Sequence, residues 1–250
     1  MEQKMASVSV QEITKFIEEH IPGFHQKRLI SLSGLKLKKV LQRKNPYLYK
    51  AKFVISAPDL VKAILDAHLS SQEEAIFGGF LEEFAVFICA RVFGGKKSSA
   101  EGIDLEFERN GIIYIVSIKS GPNWGNSSQI KKMIQNFSLA KRILRTNASA
   151  KNIVAVNGCC YGQENVEDKG DYLKKCGQSF WSFISGDHDL YTSIIEPLGH
   201  KAKEQNEAFQ AEYSKVVNRF TGEFIKDFCQ ADGTIVWSKL VRFNSGQESK

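Results

Sequence analysis

Residues 102–129, GIDLEFERNGIIYIVSIKSGPNWGNSSQ, constrain the fold more than any other stretch. Two β-type runs, Ile103–Arg109 and Ile112–Lys119, flank Asn110-Gly111. Asn-Gly between such runs marks a two-residue hairpin, because both central positions of that turn take positive φ. A turn of that length sets Asp104 opposite Ser117, and opposed residues share a face. Side chains alternate along a strand, so Lys119 joins the face of Ser117. One surface of the ribbon therefore gathers an Asp, a Ser and a Lys. The second run, IIYIVSI, is apolar on both faces, as expected of a strand covered from both sides. A Lys closing such a strand either reaches solvent at the strand end or has an anionic partner or a task, since a lone buried ammonium is costly.

After the second run, Ser120-Gly121-Pro122-Asn123-Trp124-Gly125-Asn126-Ser127-Ser128-Gln129 forms a stiff polar turn with one aromatic. It leads into a helix that Asn126 or Ser127 can cap. Gly-Ile-Asp-Leu-Glu-Phe, a hairpin, then Ser-Ile-Lys-Ser-Gly resembles the PD-(D/E)XK nuclease superfamily. The tail SGPNWGNSSQ and Phe180-Trp181-Ser182-Phe183 are similar to type II restriction endonucleases of that superfamily, and the likeness spans residues 45–237.

The resemblance implies hydrolysis of phosphodiester bonds in double-stranded DNA at a specific short sequence, with Mg²⁺ as cofactor. It implies a homodimer, because two-fold protein symmetry matches a palindromic site. Asp104 and Lys119 become catalytic residues, and the backbone carbonyl of Ile118 joins Asp104 at the metal. The superfamily's second acid is Ser117 here, and a hydroxyl binds Mg²⁺ less well than a carboxylate does. Some enzymes of the superfamily carry Ser at this position and draw the acid from a helix. Two sources exist: Glu106, one alternation from Asp104 at roughly 7 Å, and Glu82 with its neighbour Glu83, on the helix before the hairpin. Asn123, Trp124, Asn126 and Gln129 carry groups that match base edges. Two alternatives stay open: a structure-selective repair nuclease or junction resolvase of the same fold, and a non-catalytic DNA-binding protein.

The net charge of the 250 residues is +6, which suits a polyanionic partner. The five cysteines make no CxxC pair, so reduced thiols in a bacterial or archaeal cytoplasm are expected rather than a disulfide framework or a zinc site. The N-terminus does not read as a signal peptide, and no apolar run is long enough to span a membrane.

The rest of the chain reads as α/β: a mixed central β-sheet flanked by helices, with a helical N-terminal subregion. One nuclease domain is expected over residues 1–250, with 1–70 mainly helical, 71–160 the catalytic core and 161–250 its C-terminal part. Val10–His20 has helical spacing. Lys36, Lys38, Lys39, Arg43 and Lys44 interleave with Leu35, Leu37, Val40 and Leu41, which fits a helix with one wet basic face, either merely solvated or touching DNA phosphates. Pro58-Asp59 reads as a helix start rather than a catalytic motif. Ser70-Ser71 signals a further helix over 72–93, where Gly78 and Gly79 suggest a close approach. Residues 127–145 read as a helix with Met133, Phe137, Ala140, Ile143 and Leu144 inward, and 152–156 as a third strand. Phe180, Trp181 and Phe183 are expected in the core, and Asp187-His188-Asp189 at a helix start. Residues 197–228 read as mostly helix, 233–243 as a terminal strand and 244–250 as a polar tail.

Overall fold

The computed structural model describes residues 7–148 and 152–247. In chain order these form α1 (Val10–Ser33), α2 (Leu37–Gln42), α3 (Pro46–Ala51), α4 (Ala57–Phe93), β1 (Leu105–Arg109), β2 (Ile112–Lys119), α5 (Ser127–Ala148), β3 (Ile153–Cys159), β4 (Leu173–Cys176), α6 (Gln178–Ser185), α7 (Leu190–Ser193), α8 (Ile195–Leu198), α9 (Ala202–Phe228) and α10 (Trp237–Ser245). They divide into two compact units. One comprises residues 1–21 and 77–200, the other 22–76 and 201–250.

The first unit holds a four-stranded sheet in the order β1-β2-β3-β4. The Asn-Gly turn forms as expected, with Asn110 at φ 54° and Gly111 at φ 73°. β1 and β2 pair antiparallel from Leu105↔Val116 to Arg109↔Ile112, the register that a two-residue turn requires. β3 lies parallel to β2, and β4 parallel to β3. The sheet is therefore mixed, and α5 is the crossover between its two central strands.

Both faces are covered. On one, Met133, Phe137 and Ala140 of α5 recur at helical spacing and bury Ile103, Ile115, Ile153 and Ala155. Ile143, read as inward, is exposed instead. Aromatic rings dominate elsewhere in the unit. The Phe107 ring lies 5.5 Å from Phe93, 5.1 Å from Tyr114 and 5.3 Å from Phe183, while Phe84 lies 5.5 Å from Trp181. Phe180, Trp181 and Phe183 are all buried, so that cluster is core, as expected.

The second unit is helical. Leu60, Val61, Ile64, Leu65 and Leu69 pack with Phe209, Val216, Phe220 and Phe224 in one cluster. The basic helix shows the expected split, since α2 buries Leu37, Val40 and Leu41.

Four expectations need correction. α4 is one helix from Ala57, not two with a break at Ser70-Ser71. Ser71 Oγ donates back to Ala67 O at 3.3 Å rather than capping a new helix. The start at Pro58-Asp59 is confirmed by the reciprocal contacts of Asp59 N with Ser56 Oγ (3.2 Å) and Ser56 Oγ with Asp59 Oδ2 (2.6 Å). α1 runs well beyond His20, through Pro22-Gly23 to Ser33, with Ile17, Ile21 and Leu32 buried along it. The terminal strand is absent: Ile235 makes one isolated bridge to Cys229, and Trp237 begins α10. A β-branched run without a partner strand cannot complete a ladder, whereas Leu240 and Phe243 reach the second unit's core from a helix. Finally, β4 is a fourth strand, in the C-terminal part of the expected domain, where no strand was expected before 233–243. The last three residues of the expected polar tail, 248–250, and residues 1–6 of the N-terminus lie outside the described residues.

Two glycines test this packing. A Cβ on Gly158 would sit 2.2 Å from a ring carbon of Phe180, whose side chain is fully buried. Gly158→Ala should destabilise the protein by about 1–3 kcal/mol. A Cβ on Gly79, within α4, would meet nothing within 4 Å, so no close approach requires that glycine. Gly79→Ala should stabilise by about 1 kcal/mol. Urea unfolding of the two variants checks both signs.

Candidate active site

The site begins where the hairpin ladder ends. Leu105↔Val116 is the last regular rung. Asp104 straddles Ser117 instead of pairing with it in a further rung: its amide donates to Val116 O at 2.9 Å, and its Oδ2 accepts from Ile118 N at 2.6 Å. The carboxylate thus stands in for a missing ladder carbonyl. Lys119, the last residue of β2, brings its Nζ to 3.9 Å from Asp104 Oδ2. The acid and the ammonium expected to share a surface do so, and both side chains are only partly exposed.

Burial is the largest influence on Asp104 and pushes its carboxyl above the ordinary range. The Ile118 amide, the Lys119 ammonium and Lys97 pull it down, and the charge of Glu82 pushes it further up. Glu82 therefore lies within electrostatic reach of Asp104, although it comes from α4. It is held there by Lys97, whose Nζ is 3.3 Å from Glu82 Oε1. The same charge helps burial raise the Cys160 thiol to about 12. Glu83, one residue on, is exposed.

The other source of a second acid is engaged elsewhere. The Glu106 carboxylate accepts a hydrogen bond from the Ser98 hydroxyl, and its backbone bridges Lys96. Ser117 is almost completely buried, at 1% exposure, inside the sheet. Four residues after Lys119, the loop carries the groups expected to read bases. Asn123 is exposed. Asn126 Oδ1 accepts from Ser128 N and Gln129 N, both at 3.1 Å, and Gln129 Oε1 accepts from Asn126 N at 2.9 Å. This reciprocal pair caps α5 and commits one oxygen of each side chain. Trp124 Nε1 donates to Asn157 Oδ1 at 3.1 Å, and Lys119 Nζ lies 5.3 Å from the Trp124 ring centroid.

Three contributors were not foreseen in the sequence. Lys97, in the segment between α4 and β1, fixes Glu82. Asn157 lies one residue past the expected third strand, and its buried amide anchors Trp124. Lys174, on the unforeseen β4, donates to Pro122 O at 3.1 Å and so holds the loop. A polar residue closing an otherwise apolar run, as Asn157 closes IVAV, is the one signal that pointed to a buried contact.

Among the described residues no cluster of three or more His, Cys, Asp or Glu converges as a metal cage. Mg²⁺ does not need one, because it keeps several waters and takes one or two protein carboxylates. Asp104 with Glu82 is a hard-oxygen pair of that kind. The burial and like charge that raise the Asp104 carboxyl are what a divalent cation would relieve. All five cysteines are free, and burial lifts the thiols of Cys89 and Cys160 to about 12, which leaves them protonated at neutral pH. Among the described residues no helix is long and apolar enough to cross a membrane.

No curated protein compared with the chain matches it. A family model described as Type II restriction endonuclease EcoO109I matches residues 11–206, well over half of the sequence, including the hairpin, Glu82 and the Trp124 loop. With its mixed sheet flanked by helices and its Asp-Lys pair at the ribbon's end, the chain belongs to the EcoO109I family of type II restriction endonucleases.

Proposed function

We propose that this DNA-cleaving restriction enzyme is a Mg²⁺-dependent, site-specific deoxyribonuclease that acts on double-stranded DNA as a homodimer, with both units serving one nuclease domain. The observation that carries this is the approach of Lys119 Nζ to 3.9 Å from Asp104 Oδ2, beside Glu82. Asp104 and Glu82 would hold the cation, with the Ile118 carbonyl as a third oxygen donor. When bound, Mg²⁺ supplies charge neutralisation at the scissile phosphate and a water acidic enough to attack it. Lys119 orients that water and stabilises the negative charge that builds on the phosphate oxygens. Ser117, buried, supports the strand and gives its expected catalytic place to Glu82. Asn123, Asn126 and Gln129 face solvent on the adjoining loop, where they contact base edges. The positive net charge favours the DNA backbone, and free thiols fit a reducing bacterial or archaeal cytoplasm.

Digestion of phage DNA tests the activity. A limited, repeated set of fragments is expected with Mg²⁺ and none with EDTA. A smear would indicate a nuclease that reads DNA shape, and binding without cleavage would indicate a non-catalytic module. Asp104→Ala and Lys119→Ala should each lower single-turnover cleavage by about 100-fold or more while most DNA affinity survives in a gel shift. Normal cleavage by either variant rejects the assignment. Glu82→Gln should lose activity with them and Glu106→Gln should keep it; the opposite order would move the second acid to β1.

Asp104 also sets a pH dependence. Its carboxyl is raised in the folded state, so its stabilising contribution is present below the unfolded value of about 3.9 and is lost as pH rises through the folded value. Ionised Asp104 therefore weakens the metal-free fold at neutral pH. In EDTA at pH 7–8, Asp104→Asn should melt higher than the parent, and the gain should vanish below about pH 4. The same change should abolish the rise in Tm that Mg²⁺ produces. A lower Tm for Asp104→Asn would mean that the Lys119 contact outweighs burial.

A further inference from the structure

Asn157 is an unusual residue for its place. It is 1% exposed, in a strand otherwise built from Ile, Val, Ala and small residues. A buried amide is costly unless its groups are bonded. Asn157 Nδ2 donates to Ser117 O at 3.2 Å, and its Oδ1 accepts from Trp124 Nε1 at 3.1 Å. The first contact ties it to the strand that ends in Lys119. The second fixes an indole on the neighbouring loop.

That loop is held at further points. Lys174 Nζ bonds Pro122 O at 3.1 Å and lies 3.2 Å from Glu164 Oε2, and Glu164 in turn lies 3.1 Å from Lys169 Nζ. Lys169, the Val166 amide and Lys174 together hold the Glu164 carboxyl at about 2, so the strut stays charged. Tyr161 packs against Gly121 so closely that a Cβ there would lie 2.3 Å from its ring. Pro122 fills the same kind of space at Gly162, where a Cβ would lie 2.6 Å from the proline ring. Trp124 is thus set in one orientation, with its only hydrogen-bond donor turned inward to Asn157. Its ring face receives the Lys119 ammonium at 5.3 Å from the centroid, while the same nitrogen lies 3.9 Å from Asp104.

We propose that Trp124 and Asn157 are positioning residues for Lys119: Asn157 orients the indole, and the indole seats the ammonium beside Asp104. This assigns Trp124 to the chemical step rather than to base reading, and it rests on the role of Lys119 proposed above. A free lysine side chain samples many rotamers, and an aromatic face attracts the ammonium through the ring quadrupole. The seat therefore narrows the positions of Nζ before DNA arrives.

Site-specific replacement of Trp124 by mono-, di- and trifluorotryptophan weakens the negative ring face and leaves packing almost intact. Single-turnover cleavage in Mg²⁺ of a plasmid that the parent cuts should fall stepwise, by about 3- to 30-fold across the series. Affinity for a cut-site duplex in Ca²⁺ should not change. Trp124→Phe should retain more rate than Trp124→Leu, which supplies bulk without a ring face. Asn157→Ala, checked for folding by circular dichroism, should lose rate at unchanged affinity. A flat rate across the fluorinated series, or a loss of affinity or a changed fragment pattern in its place, overturns the proposal. If the parent does not cut, or Lys119→Ala cuts normally, the nuclease role of Lys119 falls first and the seat with it. If the parent cuts, Lys119→Ala does not, and the series is flat, only the seat is rejected.

Discussion

The Asp104 carboxylate accepts the Ile118 amide at the point where β1 leaves the ladder, and the site depends on that contact. It satisfies the Ile118 amide beyond the last regular rung and turns a carboxylate toward the strand that carries Lys119. The cost is a carboxyl group taken largely out of water next to the like charge of Glu82. One amide and two ammonium groups, those of Lys119 and Lys97, do not fully offset that burial, which is why the carboxyl rises above its usual range. A structural ion pair would gain little from such a placement. A site that awaits a cation and a phosphodiester gains from it, because unsatisfied charge in the free protein becomes binding energy when the partner arrives.

The surrounding elements supply rigidity. β2 lies between β1 and β3, so Lys119 sits at the end of a doubly paired strand. The loop after it is tied by Asn157, Lys174, Tyr161 and Gly162, all from β3, β4 and the segment between them. Preorganisation of this kind favours catalysis because the groups need not be ordered during the reaction. The family match covers these elements, and the likeness to type II restriction enzymes therefore extends to the scaffold that holds the site.

Local chemistry made the hairpin legible. Asn110-Gly111 dictates a two-residue turn, the turn dictates the register, and the register brings Asp104 and Lys119 together. The start of α5 was readable from Asn126, one of the two caps that the sequence offered. What escaped depends on distant partners. Lys174 and Lys175 do not look like strand residues until Glu164 and Glu167 neutralise them. Thr234-Ile235-Val236-Trp237 looks like a strand, but no neighbouring strand receives it and Leu240 finds a buried place from a helix. Ser70-Ser71 resembles a helix start, yet α4 runs through it unbroken and the Ser71 hydroxyl turns back to Ala67 O. Spacing alone did not separate the settings of Glu82 and Glu106, because these depend on Lys97 and Ser98, two residues of a connector without regular structure.

Diffraction from crystals soaked in Mn²⁺, recorded at the manganese absorption edge, measures the central feature most directly. An anomalous peak bonded to an Asp104 carboxylate oxygen, with Glu82 as its second acidic neighbour and Lys119 close by, is the expected result. A peak bound elsewhere on the protein, with Asp104 left to Ile118 and Lys119 alone, would contradict it.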